Sequence, residues 1–253
     1  MLTDKGKTGL MSVFSCIYAL TLRVRGCIIV TEKCNRGEQM ANPWEEISLD
    51  DYENHMSLDS VGQLQALNAL MRLQFSAHSA KTVMVLGVAG GNGLEHARPL
   101  GFEKIYGVDI SDDYLREVSR RFADMSGVLE CLRIDLLSDA QNLPQAQLVI
   151  ADLLIEYIGY KAFQRTVEQI KPEYVSCVIQ INTDPKAWVS DSPYLHAFDM
   201  LDEVHDQMCE SELEQAMAQI GFAKVLRSQT ALPNGKALVR LDFLCKNLTN
   251  KRL

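Results

Sequence analysis

The chain predicts an α/β fold built on a mostly parallel sheet of seven strands, with helices on both faces and an antiparallel hairpin strand at the C-terminal end. Three observations carry this. Apolar runs of strand type alternate with helix-like segments between residues 82 and 182. The first run breaks into Gly87, Gly90, Gly91 and Gly93 before a helix-like segment resumes. The last third holds two β-rich runs, 223–232 and 236–245, joined by Pro233-Asn234-Gly235, a hairpin signal.

Residues 57–75 read as a helix packing across the sheet. Val61, Leu64, Leu67, Met71 and Phe75 recur at helical spacing, and Asp59 or Ser60 stands early enough to cap it. Strands are expected at 82–87, 104–109, 128–134, 147–152 and 174–182, separated by helical segments near 92–99, 112–124 and 161–170. That alternation specifies right-handed crossovers and parallel pairing. Ser111 before Asp112 and Asp113 is an N-cap with acids in the first turn, which puts Asp109 at a strand's carboxyl end. Ser211 with Glu214 reads as a capping box for a helix that Gly221 stops.

A strand that ends in a glycine turn lets the backbone touch a ligand, and an acid about 20 residues on, here Asp109, can grip a ribose. Reading GxGxxG from Gly87 puts Ala89 and Asn92 at the second and third glycine positions. The diphosphate-binding pattern therefore fails, which disfavours a nicotinamide-dependent oxidoreductase.

Gly87-x-Ala89-x-Gly91 instead resembles the first motif of the class I S-adenosylmethionine-dependent methyltransferases. The likeness continues in order. Asp109 of YGVDIS matches the acid that holds the ribose hydroxyls, Asp135 of LRIDLL the residue that meets the adenine amino group, and Asp152 of QLVIAD the residue beside the transfer centre. It spans roughly 82–244, and NPWEEISLDDYENHM and LPNGK are similar to a bacterial subgroup of that family. The resemblance implies a Rossmann-like sheet, S-adenosyl-L-methionine as cofactor, and contacts from Gly87, Ala89, Gly91, Asp109, Ile110, Asp135, Leu136 and Asp152. It departs at Val85, where many members have an acid, and at Ala89, where they have glycine. These departures encourage one alternative, a non-catalytic cofactor-binding module serving a partner protein.

Methyl transfer is an in-line displacement at a carbon already activated by the sulfonium charge, so few catalytic side chains are needed. Ligands of open α/β sheets lie beyond the carboxyl ends of the strands. After the fourth strand Glu156 is a candidate general base and Tyr157 a positioning group; both serve equally well as the start of a surface helix. After the fifth, an aperiodic segment supplies Asn182, Asp184, Trp188, Ser192, Tyr194 and His196. His196 is the leading base candidate because an unperturbed imidazole titrates near neutrality. Tyr52, His55 and Tyr194 are candidates for acceptor contact, the first two sharing one helical face of a segment that often closes over the cofactor in this family. His78 and His205 read as surface histidines. Asp152, Asn182 and Asp184 loosely resemble the ligand set of metal-dependent catechol-type methyltransferases, but the spacing is off and no metal is expected.

At 253 residues, 28.4 kDa and 47% hydrophobic, the chain suits one catalytic domain. The expected organisation is a poorly ordered or artefactual leader at 1–39, an N-terminal cap segment and helix at 40–80, the methyltransferase domain at 81–247 and a tail at 248–253. The net charge is −8, and because residues 1–38 carry a local +3, the remainder carries −11. Such a surface repels phosphate backbones, which argues against nucleic acid or an anionic membrane and favours a small-molecule acceptor. The lack of an Asn-Pro-Pro-aromatic tetrad after the fourth strand agrees. Seven scattered cysteines without a C-x-x-C pair suit buried thiols in a reducing cytoplasm, notably Cys131 and Cys177 in strand-like runs. Residues 9–22 superficially look like a signal peptide, but Arg23 and Arg25 follow, no A-x-A-like site appears, and the run is too short to span a bilayer.

Overall fold

The strand-like runs pair into one sheet. In this computed structural model, which describes residues 42–182 and 189–246, the strands are β1 (Thr82–Leu86), β2 (Lys104–Asp109), β3 (Leu129–Arg133), β4 (Leu148–Asp152), β5 (Tyr174–Ile181), β6 (Phe222–Ala231) and β7 (Ala237–Cys245). Their order is β3-β2-β1-β4-β5-β7-β6. Strands β1 to β5 pair in parallel, while β7 slots antiparallel between β5 and β6. β1, β4 and β5 bury almost every residue, as parallel strands covered on both faces must. The expected leader and tail, with Asp184 and Trp188, lie outside the described residues.

The helices are α1 (Pro43–Glu46), α2 (Leu49–Ser57), α3 (Gln63–Ala77), α4 (Asp112–Arg121), α5 (Ile155–Ile170) and α6 (Glu210–Gln219). Met71 and Phe75 of α3 and Leu115 and Val118 of α4 pack with Val83, Val85 and Ile150 on one face of the sheet. Phe163 and Val167 of α5 and Leu213 and Met217 of α6 pack with Met84, Val149 and Cys177 on the other. Ser111 caps α4 by accepting from the Tyr114 N–H.

Several boundaries differ from the sequence expectation, each for a local reason. The helix expected at 57–75 starts only at Gln63 and runs to Ala77, because the chain turns at Gly62 in the left-handed region, where an added Cβ would lie 2.9 Å from Pro233 Cδ. Neither Asp59 nor Ser60 caps: α3 starts from Gly62, and α2 is capped by Ser48, which accepts from the Asp51 N–H. The segment near 92–99 is a 3-10 turn, Leu94–Leu100, flanked by left-handed Gly93 and Gly101 and carrying Pro99. α4 ends at Arg121. α5 begins at Ile155, well before the expected residue 161, and kinks at Gly159. α6 begins at Glu210, so Ser211 falls inside the first turn and makes no capping box. Cys177 is buried as expected; Cys131 is only half-buried.

Candidate functional site

Three neighbouring cavities lie at the carboxyl ends of β1, β2 and β4. The largest, about 840 Å³, is lined by Gly87, Ala89, Asp109, Ile110, Asp135, Leu136 and Asp152. A second, about 490 Å³, runs along the glycine turn past Gly87, Ala89, Gly90, Glu53 and Asp152. The third, about 520 Å³, holds His55, Gln63, Glu156, Gln180 and His205. Tyr52 lines all three, and Trp44 and Tyr157 line the first and third.

Asp109 ends β2 and is pinned by backbone: its Oδ2 accepts from the Ala89 N–H at 2.9 Å and its Oδ1 from the Ser111 N–H at 3.0 Å. Burial raises its pKa, and those N–H groups oppose the rise. Ala89 carries the glycine-like φ of +45°, and Leu153, directly after Asp152, has φ +53°. Strained backbone of this kind persists where surrounding structure over-determines it, and both residues stand on the cavities. Gly91 lines none of the three. At its φ of +82° an added Cβ would lie 2.6 Å from Phe122 Cε2, so this glycine lets the turn pack on the residue that follows α4 as its C-cap. Asp135 is half-buried; its Oδ1 accepts from the Leu137 N–H at 2.8 Å and its Oδ2 from the Ser138 hydroxyl at 3.1 Å.

Asp152 ends β4 with sheltered carboxyl oxygens. Oδ1 accepts from Gln74 Nε2 at 2.7 Å, while Oδ2 has no hydrogen-bond partner. Burial pushes its pKa up to about 7, against the pull of Gln74 and the Arg240 charge. An acid whose pKa rises on folding stabilises the fold while protonated, and that contribution is lost as pH climbs from the unfolded value to about 7. Asp152→Asn removes the loss. Its melting temperature is expected to gain on the wild type's between pH 5 and pH 8; an equal offset at both would overturn the assignment.

Glu156 is 3% exposed, contrary to a surface-helix role, because α5 starts early and turns it inward. Its Oε1 accepts from the Gln180 N–H at 2.9 Å, Oε2 is buried without a partner, and burial raises its pKa to about 7. His55 Nδ1 lies 2.8 Å from Ser192 Oγ, and burial together with the nearby Lys236 charge lowers its pKa. Tyr157 stands beside Glu156 with its pKa raised by burial and by that carboxyl.

Other candidates lie elsewhere. His196 is 90% exposed in its side chain, sits 3.2 Å from Asp199 on its own 3-10 turn, Leu195–Glu203, and lines none of the cavities. Tyr194 packs with Ile47, Phe198 and Leu201 rather than lining them. His78 and His205 are not surface histidines. His78 lies 3.2 Å from Asp242 and stacks on Tyr174, while half-buried His205 meets the Tyr157 ring with its pKa lowered by burial. Among the described residues no group of three His, Cys, Asp or Glu stands ready for a metal, and Asp184 lies outside them. Sequence reasoning missed Trp44, Gln63, Gln180 and His205. Trp44 had the only signal, an aromatic residue in a charged stretch directly after an Asn-Pro helix start.

Solved structures place this architecture. The chain has the fold of class I S-adenosylmethionine-dependent methyltransferases. It matches magnesium protoporphyrin IX methyltransferase from Synechocystis PCC 6803 with S-adenosylmethionine bound, at a TM-score of 0.57 and 11% identity, over 82% of this chain and 99% of that one. N-methyltransferase NodS from Bradyrhizobium japonicum WM9, in complex with S-adenosyl-L-homocysteine, matches at 0.56 and 13% identity over 78% of this chain and 97% of that one. The [4+2]-cyclase SpnF matches at 0.54 and 10% identity over 71% and 80%. Likeness at such identities establishes fold and leaves the reaction open. No family model and no curated protein matches the sequence. Among the described residues, no helix is long and apolar enough to cross a membrane.

Proposed function

We propose that this chain is an S-adenosylmethionine-dependent methyltransferase acting on a small-molecule acceptor. One observation carries the reading: the chamber bordered by the glycine turn, Asp109 and Asp135 shares Trp44, Tyr52 and Tyr157 with a second chamber that holds a buried carboxyl titrating near neutrality. The residues fit the cofactor. Gly87 and Ala89 would give the methionine part backbone room, Asp109 would accept from the ribose hydroxyls, and Asp135 would accept from the adenine amino group, with Ile110 and Leu136 supplying apolar lining. The unpartnered Asp152 Oδ2 offers a polar atom beside the transfer centre, and negative charge as pH rises past about 7.

When bound, the cofactor supplies a methyl group on positively charged sulfur. Glu156 takes the proton from an O–H or N–H of the acceptor, a role its raised pKa suits. It replaces His196, whose exposed ring cannot reach a sheltered acceptor. His55, held neutral at pH 7, and Tyr157 orient the acceptor. The acidic surface argues against nucleic acid, and the free thiols suit a reducing cytoplasm. A chamber with a poised base is superfluous in a non-catalytic module. A diphosphate-bearing nicotinamide would need free N–H groups at a helix start, and the turn leads instead into a 3-10 segment.

Calorimetry is the test: the protein should bind S-adenosylhomocysteine and not NADH, and the converse would overturn the reading. With an acceptor found by release of labelled methyl groups, Glu156→Gln should lower kcat by about 10²–10⁴-fold and leave S-adenosylhomocysteine affinity unchanged. Because the base must be ionised to accept a proton, wild-type kcat should rise with pH through about 7 and the variant's should not. A variant that keeps wild-type kcat removes Glu156 from the chemistry.

A further inference from the structure

Given the cofactor reading above, on which this rests, we infer that Trp44, Tyr52 and Tyr157 form an aromatic enclosure for the cofactor's sulfonium charge, so that the site prefers the charged methyl donor over its neutral demethylated product. The three rings line both the cofactor chamber and the acceptor chamber, and Tyr52 also lines the cavity along the glycine turn. They stand where the two chambers meet, and a methyl group passing from one to the other must cross that boundary.

The Trp44 ring stands 5.8 Å from the Tyr52 ring at 80° and 4.8 Å from the Tyr157 ring at 87°. Near-perpendicular rings give a concave apolar boundary, and the negative potential over an aromatic face attracts a cation within about 6 Å of its centroid. Nearby carboxyls favour a cation as well where they are ionised, with Arg121 offsetting Glu53 and Asp152 charged only as pH rises past about 7. The Asp109, Glu53 and Asp152 carboxyls lie near enough to Tyr52 to raise its pKa alongside burial. Tyr52 and Tyr157, the latter with its pKa raised chiefly by burial, therefore stay neutral phenols at physiological pH.

The enclosure is preorganised from three directions. Asn42 caps α1 by accepting from the Trp44 N–H at 3.1 Å, and Glu45 of the same helix pairs with Arg133 at the end of β3 at 2.8 Å. Ile47 C=O accepts from the Tyr114 hydroxyl at 2.9 Å, which ties the α1–α2 connection to α4. Glu53 of α2 pairs with Arg121, whose Nη1 also donates to Gly90 C=O at 3.1 Å, so α2 is fastened across the glycine turn. Rings held in place before binding lose little conformational freedom when the cation arrives.

The measurement is calorimetry with three compounds: S-adenosylmethionine, S-adenosylhomocysteine, and an analogue in which an amine-bearing carbon replaces the sulfonium. In Trp44→Leu and Tyr52→Leu, affinity for the methyl donor should fall about tenfold more than affinity for its product. The amine analogue should follow the donor, and Tyr52→Phe, which keeps the ring, should preserve the wild-type ratio. If Trp44→Leu fails to fold, Tyr157→Leu reads the same ratio. Equal weakening of donor and product would mean that the rings only shape the cavity, and would overturn the inference with the cofactor reading intact. Wild-type protein that binds neither compound overturns both.

Discussion

Replacing Asp109 by alanine should weaken S-adenosylhomocysteine binding by about 100-fold or more. Hydrogen bonds to a charged group contribute about 1.5–3 kcal/mol each, and two ribose hydroxyls on one carboxylate give about 3–6 kcal/mol, at 1.4 kcal/mol per tenfold. The side chain also does a second job. It holds the Ala89 and Ser111 N–H groups, so it keeps the strained turn and the start of α4 in place around the ligand. Alanine removes both functions at once. Asparagine retains one acceptor oxygen and should fall between alanine and wild type. Calorimetry on variants with a native circular dichroism spectrum decides the matter, and unchanged affinity in the alanine variant would show that the ligand lies elsewhere.

Arg240→Met should destabilise the fold strongly. β7 carries Arg240 and Asp242 on the sheet face under α3, where they are 3% and 0% exposed. Asp242 accepts from Arg240 Nε at 2.8 Å and from Ser176 Oγ at 2.6 Å, with His78 Nε2 at 3.2 Å. Burial would raise the pKa of Asp242, yet these hydrogen bonds and the guanidinium charge hold it below the ordinary range. Removing the cation leaves a buried carboxylate uncompensated, a loss of about 3–5 kcal/mol. For a domain of this size that corresponds to about 10 °C in Tm. Adding Asp242→Asn should recover part of it, since the stranded charge is then gone. A Tm within about 3 °C of wild type would mean that water or a proton neutralises Asp242. Because the Arg240 charge also restrains the pKa of Asp152, the same variant should move the Asp152 titration upward.

The glycine-turn side of the candidate site was more legible in the sequence than the side that holds Glu156. Asp109 and Asp152 each close an apolar run, and an acid at that point can only be where a buried strand emerges. The glycine turn announces itself by composition, and Ala89 marks where the pattern bends without breaking, since it takes the left-handed φ that glycine favours. His196 and Glu156 show the opposite. His196 drew attention through the pKa of an isolated imidazole, a property that says nothing of direction, and its 3-10 turn points it to solvent. Glu156 read equally well as a general base and as helix surface, and only Leu153, with φ +53°, and the early start of α5 turned it inward.

Amino-acid order by itself determined the alternation of strands and helices, the tight turn after β1, the terminal hairpin and the acids at the strand ends. These follow from periodicity and backbone preference, which act over a few residues. Tertiary structure alone decided that β7 inserts between β5 and β6, that a tryptophan from α1 meets tyrosines from α2 and α5, and that Glu156 titrates near 7. Burial and desolvation depend on neighbours distant along the chain, and no local pattern carries that information.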